Sequence, residues 1–337
     1  DYMEQHVGGD ESDWDVRDHV AAFDGDDASW REAVAIAERP TGLADPANYA
    51  ELQRYIDLVD LIDYVLLHFY SNSDDWDQNN VRAARSRVAP DTFRFFAWDQ
   101  ERTFRNTLSS PDVHGASAID KDTHVEADDL TGPTHLHQRL RANPEYRLLF
   151  ADRVRRHCFD GGPLTADGAT ALWDALAAEI RPAMIAEAAR WGDLHGRVNS
   201  VAHWEANIAR EKSQWFDRRT PILIRLLEER GLYPEIAAPE FRVYGRPQHV
   251  GPIRAGARIG MSAAAGTIYY TLDGSDPRAV GGGVRGAAFA GELGVTDAIT
   301  LRARAYDAEQ WSALSEARFS PLPSESTTAR RDGPATP

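Results

Sequence analysis

Apolar and polar residues follow a helical period in the early part of the chain. Apolar side chains recur at steps of three and four from residue 48 to residue 70, which predicts one amphipathic helix. The polar run Ser71-Asn72-Ser73 ends this helix, so Asp75 is expected in the loop beyond it. The periodic apolar positions are Leu52, Ile56, Val59, Ile62, Leu66 and Phe69.

Two short strands are predicted after this loop. Residues 81–87 and 92–98 have the pattern of strands, and an Ala-Pro-Asp turn joins them into a β-hairpin. In an antiparallel hairpin with this turn, residues whose numbers sum to about 179 lie opposite each other. Asn80 and Asp99 are such a pair. They are therefore expected at the open end of the hairpin, beside the loop that holds Asp75.

Asp75, Asn80 and Asp99 form a set that suits phosphoryl transfer around a metal-bound nucleotide. Such a reaction needs one carboxylate for the receiving hydroxyl, and an amide and a second carboxylate for the metal ions. Carboxylate and amide oxygens are ligands of hard cations such as Mg²⁺. Loops rich in Asp and Asn are also common as solvated turns and caps, so the spacing alone leaves that structural alternative open.

These segments resemble the CotH family of spore-coat and secreted protein kinases, which have an atypical protein-kinase-like fold. The resemblance rests on the helix at 48–70, the loop from Asn72 to Asn80 with its Asp-Trp pair, and the aromatic strand that leads into Trp98-Asp99-Gln100-Glu101-Arg102-Thr103-Phe104. It extends more loosely through two further segments to about residue 235; these segments are 136–159 and 188–193.

The resemblance implies a role for each residue of the set. Asp75 matches the catalytic-loop aspartate, Asn80 matches the metal-binding asparagine that follows it, and Asp99 matches the metal-binding aspartate after the hairpin. Asp74 and Asn79 have the same five-residue spacing. Asp75 is preferred because a tryptophan follows it, as in the Asp-Trp pair of the family.

The resemblance also implies an activity. A CotH-type kinase would use ATP as co-substrate and Mg²⁺ or Mn²⁺ as cofactor, and would phosphorylate Ser or Thr hydroxyls of a protein substrate at an extracellular or cell-envelope location. A second hypothesis from another class is a non-catalytic cell-surface or polysaccharide-associated protein with a degenerate kinase-like scaffold. A glycosidase is the third choice.

Several features depart from a complete kinase. Kinases anchor the nucleotide phosphates with a Lys on a strand of a small β-rich lobe, but Lys121 lies in a polar stretch and Lys212 in a helical segment, and these are the only lysines. No Gly-rich loop precedes residue 48, and the chain begins at Asp1. Glu101 stands where relatives often carry a second aspartate. The chain is therefore expected to be a fragment without its nucleotide-anchoring lobe, inactive in this form.

Composition narrows the classes of function. The 337 residues include 37 Lys and Arg and 53 Asp and Glu, with a formal net charge of −16. This charge argues against nucleic-acid binding, which needs a cationic surface. Cys158 is the only cysteine, so neither an internal disulfide nor a cysteine-based metal site is expected. No run of about 18 or more apolar residues occurs, so no transmembrane segment is expected.

Helices are predicted to dominate from residue 135 to residue 231. Asn143 stands immediately before a proline and is expected to cap a helix. Pro182 is expected to bend or break the helix that contains it. Thr220 and Pro221 are expected to start a fresh helix.

After Pro234 the pattern changes to short strands between turns, which predicts a small antiparallel β-sandwich. The runs Ile268–Pro277 and Leu301–Tyr306 closely resemble the chitobiase/β-hexosaminidase C-terminal domain, which implies an immunoglobulin-like accessory module that contacts a cell-wall or polysaccharide surface. Asp273 and Asp276 are interpreted as turn residues and not as a glycosidase pair. The predicted strands are 240–244, 257–263, 267–272, 298–306 and 312–319.

The predicted fold class is multidomain α+β. Residues 1–236 form a mainly helical kinase-like C-lobe with a β-hairpin and without the N-lobe. Residues 237–322 form an all-β immunoglobulin-like sandwich. Residues 323–337 are rich in Pro, Ser, Thr and Arg and are expected to be a disordered tail.

Overall fold

The computed structural model divides the chain into two compact units, Asp1–Pro234 and Glu235–Pro337. Helices dominate the first unit, and the described part of the second consists of strands and turns. The predicted α+β architecture of two parts is therefore confirmed. The predicted tail at 323–337 lies outside the described residues, which are 2–73, 75–88, 91–104, 119, 126–130, 132–193 and 200–322.

The first unit contains a four-stranded antiparallel sheet with the strand order β2-β1-β3-β4. The predicted hairpin corresponds to β3 and β4, but it belongs to a larger sheet because β1 pairs with β3 along its whole length. The hydrophobic pattern does not predict β1 and β2, which are short and lie in an acidic stretch. The strands are β1 (Trp14–Arg17), β2 (Ala22–Asp24), β3 (Ala83–Ser86) and β4 (Arg94–Phe95).

The hairpin register differs from the prediction by one residue. Ala84 lies opposite Arg94, whereas the predicted register places Ala84 opposite Phe95. The N–H of Phe95 donates instead to the carboxylate of Asp60 at 2.6 Å, so a helix residue fixes this strand from its other edge. The centre of the turn, residues 89 and 90, lies outside the described residues.

The prediction of one continuous helix over residues 48–70 is wrong, because the chain leaves the helix after Leu52 for a turn and a single β-bridge at Ile56. There the carbonyl of Tyr55 accepts the N–H of Phe93 at 2.7 Å. Asp57 then caps a new helix, since its carboxylate accepts two backbone N–H groups of the first turn. The helices of this region are α1 (Tyr2–His6), α2 (Ala28–Ala37), α3 (Pro46–Leu52) and α4 (Leu58–Ser71).

Helix α4 lies at the centre of the first unit. It contacts β4, α5 (Pro133–Leu140), α6 (Pro144–Cys158) and α9 (Asp217–Glu229), and most of its side chains are buried. The side chain of Asn143 caps α6 as predicted, by accepting the N–H of Glu145 at 2.8 Å. The loop that follows α4, which holds Asp75, therefore starts from a rigidly packed element.

The last helices of the first unit bear on two predictions about proline: the chain neither breaks at Pro182, where a bend stays a prediction, nor starts a fresh helix at Pro221. Helix α7 (Ala166–Trp191) continues through Pro182, and its surroundings there are exposed, so water can reach the carbonyl that lacks its helical partner. Helix α8 (Val201–Glu211), a π-helical turn (Lys212–Phe216) and α9 form one helical run, so Pro221 lies inside α9 and does not start it. None of the described helices combines the length and the apolar character that a membrane span requires.

The second unit consists of two sheets. One has the strand order β10-β9-β12-β14-β7, with β13 paired to β12, and the other has the order β11-β8-β5-β6. The strands are β5 (Glu240–Val243), β6 (Arg246–Pro247), β7 (Val250–Arg254), β8 (Ala257–Ser262), β9 (Thr267–Thr271), β10 (Ala287–Ala288), β11 (Leu293–Val295), β12 (Ile299–Asp307), β13 (Gln310–Trp311) and β14 (Ser315–Leu322).

Both sheets contribute to one core, as a sandwich requires. Phe241 and Ile259 from one sheet and Leu301 and Phe319 from the other belong to the same buried cluster. The sequence analysis missed β7, because Pro252 lies within it. That strand is the last of its sheet and pairs in parallel with β14, which is the kind of edge position that tolerates proline.

The turn residues of the sandwich have structural partners. Asp273 accepts the N–H and the hydroxyl of Ser275 at 2.9 and 2.7 Å. Asp276 forms a two-point ion pair with the buried Arg304, at 2.8 and 2.7 Å, and this cation lowers the pKa of Asp276 against the opposing effect of burial. Both carboxylates are therefore accounted for by turn and ion-pair contacts.

Candidate functional site

The loop that holds Asp75 is anchored by a buried aromatic residue. Asn72 ends α4 in the left-handed conformation, with φ at 48°. Trp76 is fully buried, and its ring stacks on that of His68 with 4.3 Å between the centroids. The N–H of Asn80 donates to the carbonyl of Asp75 at 3.2 Å and closes the segment. We call residues 75–80 the Asp-Trp turn.

Asp75 lies beside an arginine. The residue is only 8% exposed, and its Oδ2 lies 3.2 Å from Nε of Arg102. Arg102 belongs to a short 3₁₀ turn that begins directly after Asp99. The side chain of Arg102 is 43% exposed and that of Asp75 is 12% exposed, so the arginine is the more solvent-exposed member of the pair.

Asn80 connects the Asp-Trp turn to Asp99. Its Nδ2 donates to the backbone carbonyl of Asp99 at 3.5 Å. Asp99 has a positive φ of 52°, which aspartate tolerates better than most residues, and its side chain is exposed. The structure thus places Asp75, Asn80 and Asp99 in one connected group. The contacts run through the backbone and Arg102 and do not join the side-chain oxygens, so a shared ion stays a prediction.

The other residues considered in the sequence analysis fall in different places. Asp74, Lys121 and the side chain of Glu101 lie outside the described residues. Asn79 is exposed within the Asp-Trp turn. The ammonium of Lys212 pairs with a carboxylate of α7 at 2.8 Å, where it acts as a contact between helices. Among the described residues, Arg102 is the cation in contact with Asp75.

Asp77 is a buried residue of the Asp-Trp turn that the sequence analysis did not select. It is 2% exposed, and its carboxylate accepts the hydroxyl and the N–H of Thr134 at the start of α5. Burial raises the pKa of Asp77 to about 7 and outweighs the two hydrogen bonds from Thr134, which lower it. Asp128 and Asp129 raise it further by repulsion.

No local pattern identifies Asp77 or Arg102. The partner of Asp77 is 57 residues away along the chain, and the 3₁₀ turn that aims Arg102 at Asp75 follows an aspartate with positive φ. A sequence motif reports residue types at short spacing, whereas these contacts depend on how α5 and the hairpin pack around α4.

Comparison with protein-family models decides the family. The model of the CotH kinase protein matches residues 5–223, which is more than half of the chain. The chain belongs to the CotH kinase family. The Fn3-associated model matches residues 259–317 of the CotH protein's second unit, and the more specific chitobiase-type assignment stays a prediction. No curated protein matches the sequence.

The donors present in this CotH family member fit a kinase metal site of few protein ligands. The described residues contain no group of three His, Cys, Asp or Glu side chains that could hold a metal ion by themselves. Mg²⁺ in kinases is bound through one or two carboxylates together with substrate phosphates and water. Asp99, with an exposed side chain, and Asn80 supply a carboxylate and an amide, which are the ligand types that such a site uses. That they hold an ion together stays a prediction.

Proposed function

We propose that the protein is a CotH-type protein kinase that transfers the γ-phosphoryl group of ATP to a Ser or Thr hydroxyl of a protein substrate, with Mg²⁺ or Mn²⁺ as cofactor. The observation that carries the proposal is the connected group of Asp75, Asn80 and Asp99. Membership of the CotH family supports it. A fold alone does not establish turnover, so the proposal depends on these three side chains.

Each residue has a distinct task. Asp75 accepts the proton of the substrate hydroxyl while the hydroxyl oxygen bonds to the γ-phosphorus. The bond from that phosphorus to the bridging oxygen breaks, and ADP leaves with the electron pair. Asn80 and Asp99 would hold the metal ion, which when bound neutralises charge on the phosphates.

A second candidate function is a non-catalytic surface protein with a degenerate kinase-like scaffold. The contact between Arg102 and Asp75 favours this alternative, because a carboxylate oxygen that is paired with a guanidinium is less available to accept the proton of a substrate hydroxyl. The two candidates differ in a direct measurement. Transfer of labelled phosphate from ATP to a protein acceptor supports the kinase, and its absence together with absent ATP binding supports the scaffold.

Substitution of the two aspartates tests the kinase proposal. Asp99→Ala is expected to abolish phosphorylation and metal-supported ATP binding. Asp75→Ala is expected to lower turnover by about 100-fold or more while it keeps much of the ATP binding, because Asp75 positions the hydroxyl and not the nucleotide. Phosphate incorporation and calorimetry measure the two effects. Asp297→Ala, at an exposed position in the second unit, is the control, and normal turnover in both test variants would overturn the proposal.

The location and the partner of the second unit are part of the same proposal. A CotH-type kinase of this kind would work outside the cell or in the cell envelope, and its sandwich would contact a cell-wall or polysaccharide surface. The separate core of the sandwich supports an accessory role. Fractionation of the producing cells and co-sedimentation with insoluble polysaccharide test these points. Recovery of the protein only from the cytoplasm would contradict the location.

A further inference from the structure

Asp77 connects the Asp-Trp turn to the first turn of α5. Its carboxylate accepts the hydroxyl of Thr134 and, at 3.2 Å, the backbone N–H of Thr134. The residue before α5 is Gly132, which has no side chain with which to cap the helix. Asp77 therefore supplies, from a distant part of the chain, the acceptor that a helix N-terminus usually finds in the residue beside it.

The packing around this contact is close. A Cβ added at Gly132 would lie 2.5 Å from Oδ1 of Asp77 and 3.1 Å from its carbonyl oxygen, so a larger residue would force the two backbones apart. The hydroxyl of Thr134 also accepts the N–H of Asp129 at 2.9 Å. We call Asp77, Gly132 and Thr134 the Asp77 contact.

Three consecutive residues of the Asp-Trp turn have three separate partners. Asp75 pairs with Arg102, Trp76 stacks on a histidine of α4, and Asp77 binds Thr134. Two peptide units separate Asp75 from Asp77, and neighbouring Cα atoms are about 3.8 Å apart. A displacement of Asp77 is therefore transmitted to Asp75 through a chain segment too short to absorb it.

We propose that Asp77 is a positioning residue, which fixes the Asp-Trp turn against α5 and so sets the place of Asp75 relative to Asn80 and Asp99. The role in catalysis rests on the proposed kinase function. The role in holding the turn does not, since it concerns the conformation of this chain alone.

A simple helix cap would have a different effect. A cap that only stabilised α5 would change the amide of Thr134 and leave the far end of the Asp-Trp turn as it is. A positioning contact also changes the amide of Asn80, because the hydrogen bond from Asn80 to the carbonyl of Asp75 closes that turn. Amide hydrogen exchange at these two residues separates the alternatives.

Two substitutions weaken the Asp77 contact from opposite sides, and the second of them keeps the backbone N–H of residue 134 as a donor. Asp77→Ala removes the acceptor, and Thr134→Val removes the hydroxyl with little change of shape. In the 337-residue chain, both are expected to raise the exchange rates of Asn80 and Thr134 about tenfold or more, as the loss of a hydrogen bond to a carboxylate predicts. Thr134→Ser restores the hydroxyl and is expected to return both rates to within about twofold of the wild type. Amides of the β-sandwich serve as the internal reference.

Steady-state kinetics tests the role of Asp77 in catalysis. Asp77→Ala and Thr134→Val are expected to lower kcat about tenfold and to leave the KM for ATP within about twofold, because the contact sets the place of the base and not of the nucleotide. Thr134→Ser is expected to restore kcat. A substitution that only destabilised the protein would instead lower the fraction of folded protein. Circular dichroism measures that fraction.

The outcomes separate this inference from the proposed function. Unchanged exchange at Asn80 in both disrupting variants overturns the inference, and so does normal kcat in both variants of an active wild type. If the wild type transfers no phosphate but exchange at Asn80 responds as expected, the proposed function fails and the Asp77 contact stands as a structural determinant of the turn.

Discussion

At the scale of single residues, the Asp-Trp turn contains two carboxyl groups with different surroundings. Asp75 lies beside a guanidinium, whereas Asp77 is buried against a hydroxyl and a backbone N–H. Burial without a cationic partner raises the pKa of Asp77 to about 7. Burial therefore keeps part of the Asp77 carboxyl population protonated near neutral pH, which the residue type alone does not indicate.

This shift predicts a pH dependence of stability. The pKa of Asp77 is about 7 in the folded state and near 3.8 in an unfolded chain, so the folded state binds this proton more tightly. The proton therefore stabilises the fold in full below about pH 4, and this stabilisation is lost as the pH rises through about 7. Relative to Asp77→Asn, the wild type should lose up to about 4 kcal/mol of unfolding free energy over this range. Urea unfolding followed by helical circular dichroism between about pH 4 and pH 8 measures it. Parallel pH profiles for the two proteins would contradict the prediction.

The residues of the candidate site could be predicted in part. The hairpin argument predicted that Asn80 and Asp99 lie close together beside the Asp-Trp turn, because short-range pairing follows from alternation and turn position. The roles of Asp75, Asn80 and Asp99 stay predictions. The register was one residue off, because the turn geometry depends on more than residue type. The partners Arg102 and Thr134 were missed, since their contacts require the packing of separate elements.

At the scale of secondary-structure elements, the C-terminal end of α4 depends on one buried arginine. Arg219 of α9 is 2% exposed and donates to the carbonyls of Phe69, Tyr70 and Ile119. A cation at a helix C-terminus satisfies carbonyls that lack helical partners and interacts favourably with the helix dipole. The Asp-Trp turn directly follows this end of α4, so Arg219 stabilises the helix end from which the candidate site starts.

Arg219→Met is therefore expected to destabilise the first unit by about 3 kcal/mol, because it leaves buried carbonyls without their donor. Arg218→Met, at the exposed neighbouring position, is the matched control and should change stability by less than about 0.5 kcal/mol. Chemical unfolding followed by far-UV circular dichroism gives both values. Equal effects of the two substitutions would show that the carbonyl contacts of Arg219 contribute little.

The helices show which signals in a sequence are ambiguous. The apolar period over 48–70 continues through Ile56, but Asp57 caps a new helix and the segment before it pairs with Phe93. A hydrophobic period shows which face of a helix is buried, but it does not show whether the helix is continuous. The π-helical turn before Asp217 lengthens one hydrogen-bonded turn by a residue, and Pro221 is accommodated within the helix that follows.

At the scale of the whole molecule, the two units have separate cores. The buried cluster of the sandwich is built from residues between 241 and 319, and the residues of the candidate site all precede α6. The change from helical to alternating periodicity after Pro234 was visible in the sequence, which is why the two-part architecture could be predicted. The parallel pairing of β7 with β14 could not, because it joins segments far apart in the chain.

Residues 236–322 are expected to fold alone, because their strands supply their own core and their own hydrogen-bond partners. Amide exchange of this isolated segment should show strong protection in β9, β12 and β14, the inner strands of the larger sheet. Removal of the segment should leave the exchange of the Asp-Trp turn unchanged. An absence of protected amides would mean that the sandwich depends on the first unit.

The single thiol of the molecule has a practical consequence. Cys158 is the only cysteine, it is 4% exposed, and burial raises its pKa to about 12. A thiol-directed probe needs access and a thiolate, so the native protein behaves towards such reagents as if it were cysteine-free. Asn79→Cys, at an exposed position of the Asp-Trp turn, would therefore accept one fluorophore or spin label without prior removal of the native thiol. The site can be watched directly, in solution, on an otherwise unaltered background.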